Sequence, residues 1–105
     1  MVGEPRPLTA LVGFTLYRVA QEALTNVRKH AGPGATADVR LRYQEDSVEL
    51  EVTDTGTQRR LSRRSSGLGQ LGMQERIDAV GGSIQFGRRD RGGYLVRATI
   101  PTGAA

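Results

Sequence analysis

The segment LTALVGFTLYRVAQEALTNVRKHAGPG, residues 8–34, sets the architecture. Its apolar residues Leu16, Ala20, Ala23, Leu24 and Val27 recur at helical spacing, which predicts a long amphipathic helix from Leu8 to Ala31. Gly32-Pro33-Gly34 stops it, because glycine tolerates the terminal turn and proline cannot extend the helix. Upstream, Pro5 and Pro7 mark an extended entry.

Beyond Gly34 the period changes to two. Val39, Leu41 and Tyr43 alternate with Asp38, Arg40 and Arg42; after a turn at Glu45-Asp46, Val48, Leu50 and Val52 alternate with Glu49 and Glu51. This predicts a hairpin with one buried face. The run from Thr55 to Ser66 carries Arg59, Arg60, Arg63 and Arg64 among hydroxyl residues and has almost nothing to bury, so it reads as a mobile surface loop. A second helix opens at Gly67-Leu68-Gly69-Gln70-Leu71-Gly72, lines one face with Met73, Ile77 and Val80, and stops at Gly81-Gly82. Two more strands, Ser83 to Gly87 and Tyr94 to Ile100, flank an arginine-rich turn that ends in Gly92-Gly93. The Gly-Ala-Ala tail after Thr102 is expected to fray. This order predicts an α/β (α+β) two-layer sandwich: a mixed, largely antiparallel sheet covered on one face by helices.

Composition bounds the function. A chain of 105 residues has room for one domain, here 1–105, and 37% hydrophobic with 25% charged residues is the balance of a soluble globular protein. No apolar run approaches the roughly 18 to 20 residues of a membrane span, and the N-terminus lacks the pattern of a signal peptide, so a cytoplasmic location is expected. Without cysteine there is no disulfide, thiolate nucleophile or zinc finger, and a single histidine excludes an all-histidine metal site. A metal would need oxygen ligands. The net charge of +4 comes from scattered arginines, with Lys29 the one lysine, which reads as a solvated surface and not as a nucleic-acid patch.

Three groups of residues remain for chemistry. At about 100 degrees per residue, Glu22, Asn26, Lys29 and His30 share a stripe beside the apolar one, while Arg18, Gln21, Thr25 and Arg28 make the solvated face. Carboxylate and amide oxygens suit Mg²⁺, and Lys29 suits a phosphate; an ordinary helix surface with pairing between residues four apart fits the same pattern. Asp54-Thr55-Gly56 leaves a strand end, where a carboxylate can accept from an exocyclic amine and a glycine permits close approach of a ring, or where the chain merely turns. Gly67, Gly69 and Gly72 satisfy G-x-G-x-x-G, yet Arg63-Arg64-Ser65-Ser66 precede them instead of the hydrophobic strand that a dinucleotide fold requires. Neither a P-loop nor the eukaryotic-type protein-kinase motif set is present. What is left is a glycine-rich segment entering a helix N-terminus, whose free N–H groups suit phosphate.

Read in order, Gln21-Glu22-Ala-Leu-Thr-Asn26-Val-Arg-Lys29-His30, Asp54-Thr-Gly56, Gly67-Leu-Gly69-Gln-Leu-Gly72-Met73-Gln-Glu75-Arg76, Gly81-Gly82 and Gly92-Gly93 resemble the GHKL ATPases, which unite gyrase, Hsp90 chaperones, histidine kinases and MutL. Within them the chain resembles sensor histidine kinases of the nitrate- and lipid-fluidity-sensor type, and nearly all of it takes part. The resemblance implies a Bergerat-type ATP-binding fold that lacks its dimerisation, phosphoacceptor and sensor domains. It implies Mg²⁺ on Asn26 with help from Glu22, both catalytic, and Lys29 and His30 facing the nucleotide. It implies Asp54 on the adenine amino group with Gly56 beneath the ring, an ATP lid hinged at Gly67, Leu68, Gly69 and Gly72, and Met73 near the base.

The partners implied are ATP, the kinase's own phosphoacceptor domain and a response regulator, with no nucleic acid, in a homodimeric parent compatible with a membrane anchor. Two positions depart from the family pattern: Gln58 stands at the second glycine of the first glycine box, and Tyr94 at the threonine that often follows the last glycine turn. An anti-sigma-factor serine kinase, a GHKL clamp ATPase and a basic nucleic-acid module are the competing classes.

Overall fold

A computed structural model describes residues 7–30, 32, 34–56, 63–89 and 92–102. Their order is α1 (Ala10–His30), β1 (Ala37–Tyr43), β2 (Ser47–Asp54), α2 (Arg63–Asp78), β3 (Ser83–Arg88) and β4 (Tyr94–Pro101). The strands form one sheet in the order β1-β2-β4-β3, and all three pairings are antiparallel. Both helices lie against the same face, giving the two-layer sandwich that the periodicity predicts.

Local chemistry sets the element ends. Thr9 caps α1: its Oγ1 accepts from the Val12 N–H at 3.1 Å. Beyond the helix, Gly32 and Gly34 adopt positive φ. At the far end of α2, the Gly82 N–H reaches the Ile77 carbonyl and the Gly81 N–H that of Asp78, with Gly81 at φ 77°, a Schellman closure. The second helix starts earlier than its sequence predicts. Arg63 to Ser66 continue the helical backbone, so the loop expected over Thr55–Ser66 is shortened at its end. Residues 57–62, with Gln58, Arg59 and Arg60, lie outside the described residues.

The core joins Leu16, Val19 and Ala23 of α1, Met73 and Ile77 of α2, and Val48, Leu50, Val52, Val96, Ala98 and Ile100 of the two central strands. Two expectations for α1 are corrected. Val19 is fully buried, whereas Leu24 is 39% exposed on the outer side, together with Leu11, Phe14 and Tyr17. Of the expected solvated face, Gln21 and Arg28 are exposed, but Arg18 and Thr25 are half-buried, and Arg18 Nε is enclosed without a hydrogen-bond partner among the described residues.

The outward face of the sheet is polar. Arg97 of β4 meets Glu51 of β2 at 2.7 and 3.1 Å and Glu49 at 3.7 Å, and Arg42 of β1 also reaches Glu49 at 3.7 Å. Hydrogen bonding to Glu51, opposed by partial burial and helped by the charges of Glu51 and Glu49, raises the Arg97 guanidinium above its ordinary pKa.

Candidate functional site

Strand β2 alternates perfectly, with Val48, Leu50, Val52 and Asp54 turned to the helices. Asp54 is the last of these, at the C-terminal end of the strand. It is only 3% exposed, and its Oδ1 accepts the Gly56 N–H at 2.9 Å. A carboxylate buried beside apolar neighbours needs such donors. Val39, beside Val52 on the same face, is 47% exposed. An uncovered apolar surface therefore adjoins a buried carboxylate, which suits a ring carrying an exocyclic donor.

Two other segments close on this end. Thr36 and Thr55 exchange hydrogen bonds, Thr36 N–H to Thr55 Oγ1 and Thr55 N–H to the Thr36 carbonyl, each at 3.0 Å. From the β3–β4 turn, Arg89 Nη1 donates to the Asp54 carbonyl at 2.7 Å. Gly93, at φ 98°, packs so tightly here that a Cβ would stand 1.9 Å from that carbonyl oxygen. Only glycine satisfies both constraints. Tyr94, the first inward residue of β4, accepts a short hydrogen bond from the Gln70 amide of α2.

On the helix side, Glu22 and Asn26 are half-buried one turn apart, Lys29 is exposed and His30 closes the helix. Glu22 does not stand alone: its Oε1 accepts from Arg76 Nε of α2 at 3.0 Å, while its Oε2 lies 3.6 Å from where a Cβ on Gly72 would be. The backbone of α2 runs through Gly67, Leu68 and Gly69. Met73, expected near a ligand, is fully buried in the core. Among the described residues no three acidic or histidine side chains cluster as a metal cage. Glu22 and Asn26 thus offer two hard oxygens one turn apart. That donor set fits Mg²⁺ only if water and phosphate complete its shell.

Contacts thus run from Asp54 through Gly93 and Tyr94 to Gln70, and from Gly72 and Arg76 to Glu22. The sequence reading missed three of these links, through Arg76, Gln70 and Arg89, since partners 54, 24 and 35 residues apart leave no local signal. A depression of about 200 Å³ lined by Asp46, Ser47, Gly81, Ser83, Thr99 and Pro101 lies at the opposite end of β2. It brings one carboxylate and no cation together, so it is set apart from the candidate site.

Comparison with known proteins agrees with the fold. Residues 12–104 match the family model of histidine kinase-, DNA gyrase B- and HSP90-like ATPases. The chain is 34% identical over 90 residues to the sensor histidine kinase YxjM of Bacillus subtilis, covering 86% of this chain and 21% of that protein. It is also 34% identical over 88 residues to the oxygen sensor histidine kinase NreB of Staphylococcus carnosus, covering 82% of this chain and 25% of that protein. The chain therefore spans about a fifth to a quarter of these relatives. Its fold is that of the catalytic domain of histidine kinase ThkA (TM-score 0.68, 19% identity, 86% of this chain and 67% of that one). It is equally that of a blue-light activated histidine kinase domain from Erythrobacter litoralis (TM-score 0.70, 19% identity, 96% and 52%). By the match over residues 12–104, the chain belongs to the histidine kinase-, DNA gyrase B- and HSP90-like ATPase family, as an ATPase-family domain of the kind that sensor histidine kinases carry.

Proposed function

We propose that residues 1–105 form one catalytic domain of a longer sensor kinase of the nitrate- and lipid-fluidity-sensor type, which binds Mg-ATP and delivers its γ-phosphoryl group to a histidine on a separate dimerisation domain. The observation that carries this reading is Asp54: a nearly buried carboxylate at a strand end, braced by the Gly56 N–H and adjoined by uncovered apolar surface. It would accept from the adenine amino group, with Gly56 beneath the ring. Lys29 and His30 would approach the phosphates; Gly67, Leu68, Gly69 and Gly72 lie inside α2, where their N–H groups bond carbonyls one turn back, so their part would be to hinge the lid and, at the three glycines, to keep the helix surface clear of side chains.

Bound Mg²⁺ would neutralise phosphate charge. Asn26 and Glu22 would hold it, directly or through water. During transfer the bond between the γ-phosphorus and the ADP oxygen breaks, and a bond to an imidazole nitrogen of the acceptor forms. The protein's part is orientation and charge placement. His30, the chain's single histidine, belongs to the nucleotide stripe, so the acceptor is assigned to another domain and this chain alone is expected to bind ATP without phosphorylating itself. The parent kinase is read as a homodimer that phosphorylates a response regulator. Among the described residues no helix is long and apolar enough to cross a membrane, so a membrane anchor, like the sensor, would belong to other segments.

Titration with a fluorescent ATP analogue, with and without Mg²⁺ and with ATP and ADP as competitors, tests the reading. Asp54→Asn is expected to weaken competable binding at least about tenfold, the worth of one charge-assisted hydrogen bond. Asn26→Asp should alter its Mg²⁺ dependence. Absence of competable binding by the folded wild-type chain would overturn the proposal, and phosphorylation of a serine on a partner protein would move it to the anti-sigma kinase class.

A further inference from the structure

The contact between Glu22 and Arg76 is an odd one for stability alone. Both side chains keep about a third of their surface exposed, 30% and 37%, and ion pairs so exposed contribute little to folding. The geometry is nevertheless specific. Arg76 and Gly72 stand four residues apart, on one face of α2, and both address the same carboxylate. Arg76 Nε donates to Oε1 at 3.0 Å, and Oε2 lies 3.6 Å from where a Cβ on Gly72 would stand, so it meets α2 at a position that has no side chain. One oxygen is thereby held by the guanidinium, and the other meets no side chain at Gly72. Asn26 follows Glu22 by one turn on α1, so the two residues share a helix face.

Resting on the nucleotide reading above, we propose that Arg76 is a positioning residue: it anchors Glu22 through Oε1, so that Oε2 is presented beside Asn26 to the metal or a metal-bound water. Partners that orient a metal ligand in this way typically affect metal affinity by about 10- to 100-fold. The same pair links α1 to the helix that carries the glycine-rich segment, so the metal-facing stripe and that segment are registered through one hydrogen bond.

The test measures nucleotide affinity of the full chain with and without Mg²⁺ for wild type, Arg76→Ala, Arg76→Lys, Glu22→Gln and the double variant Glu22→Gln/Arg76→Ala, with thermal unfolding of each. Arg76→Ala is expected to cut the Mg²⁺-dependent gain in affinity about tenfold, to leave metal-free affinity within about threefold, and to add little to Glu22→Gln. Lysine, which supplies charge without the planar Nε donor, should restore part of the gain. Should Arg76→Ala not fold, the lysine variant decides: a reduced gain at unchanged metal-free affinity supports the assignment. An unchanged gain in a folded variant, or equal losses with and without metal, reduces the pair to a structural contact and overturns the proposal, while wild-type binding leaves the nucleotide reading intact. If wild type shows no competable binding, both fall together.

Discussion

The two faces of the sheet handle charge in opposite ways. Outward, Arg97 sits among Glu49, Glu51 and Gln85, and Arg42 repeats the pairing on the neighbouring strand. Arg97 and Glu49 each meet two partners of opposite charge, and all four side chains keep some access to water, so the arrangement is partly redundant. Inward, every position of β2 is apolar until Asp54, and that one carboxylate is nearly sealed. The outer face spreads charge where charge is cheap. The inner face reserves it for the end of β2, where desolvation makes each interaction stronger and each error costlier.

Breaking the inner layer should produce the largest effects. Ile77, fully buried in α2, also supplies the carbonyl that closes the helix; Ile77→Ala should lower stability by about 3 kcal/mol in a denaturant titration. Gly93→Ala tests the sheet end itself. It forces a side chain into the Asp54 carbonyl at positive φ, for an expected loss of about 2 kcal/mol, with nucleotide affinity falling more than stability accounts for. The outer face supplies the contrast. Arg97→Ala should cost at most about 1 kcal/mol, less in high salt, and leave nucleotide affinity unchanged. A larger loss there, or any effect on binding, would erase the distinction between the faces.

Much of the fold was legible because periodicity is a property of neighbours in sequence. The alternation through Val48, Leu50 and Val52 and the glycine stops at Gly32 and Gly81 each reflect constraints that act within a few residues. Leu24 and Val19 were harder. A single apolar stripe does not reveal how wide the helix contact is, and α1 carries apolar residues on its outer side as well. The arginines before Gly67 hid the true start of α2, because a first turn without apolar residues leaves no period to read. Site candidates such as Glu22, Asn26 and Asp54 came from residue type and place. Their neighbours Arg76, Gln70 and Arg89 come from tertiary packing, which only the structure supplies.

The hydrogen bond from Gln70 to Tyr94 has a spectroscopic consequence. The chain contains no tryptophan and three tyrosines. Tyr17 is solvent-exposed on the outer side of α1, and Tyr43 lies at the opposite end of the sheet, paired with Val48. Tyr94 is thus the one native fluorophore at the Asp54 end, its phenol coupled to the helix that carries the glycine box. Unlabelled protein carries its own optical probe of that junction, with Tyr17 and Tyr43 as internal references, and Tyr94→Phe removes the hydroxyl that responds.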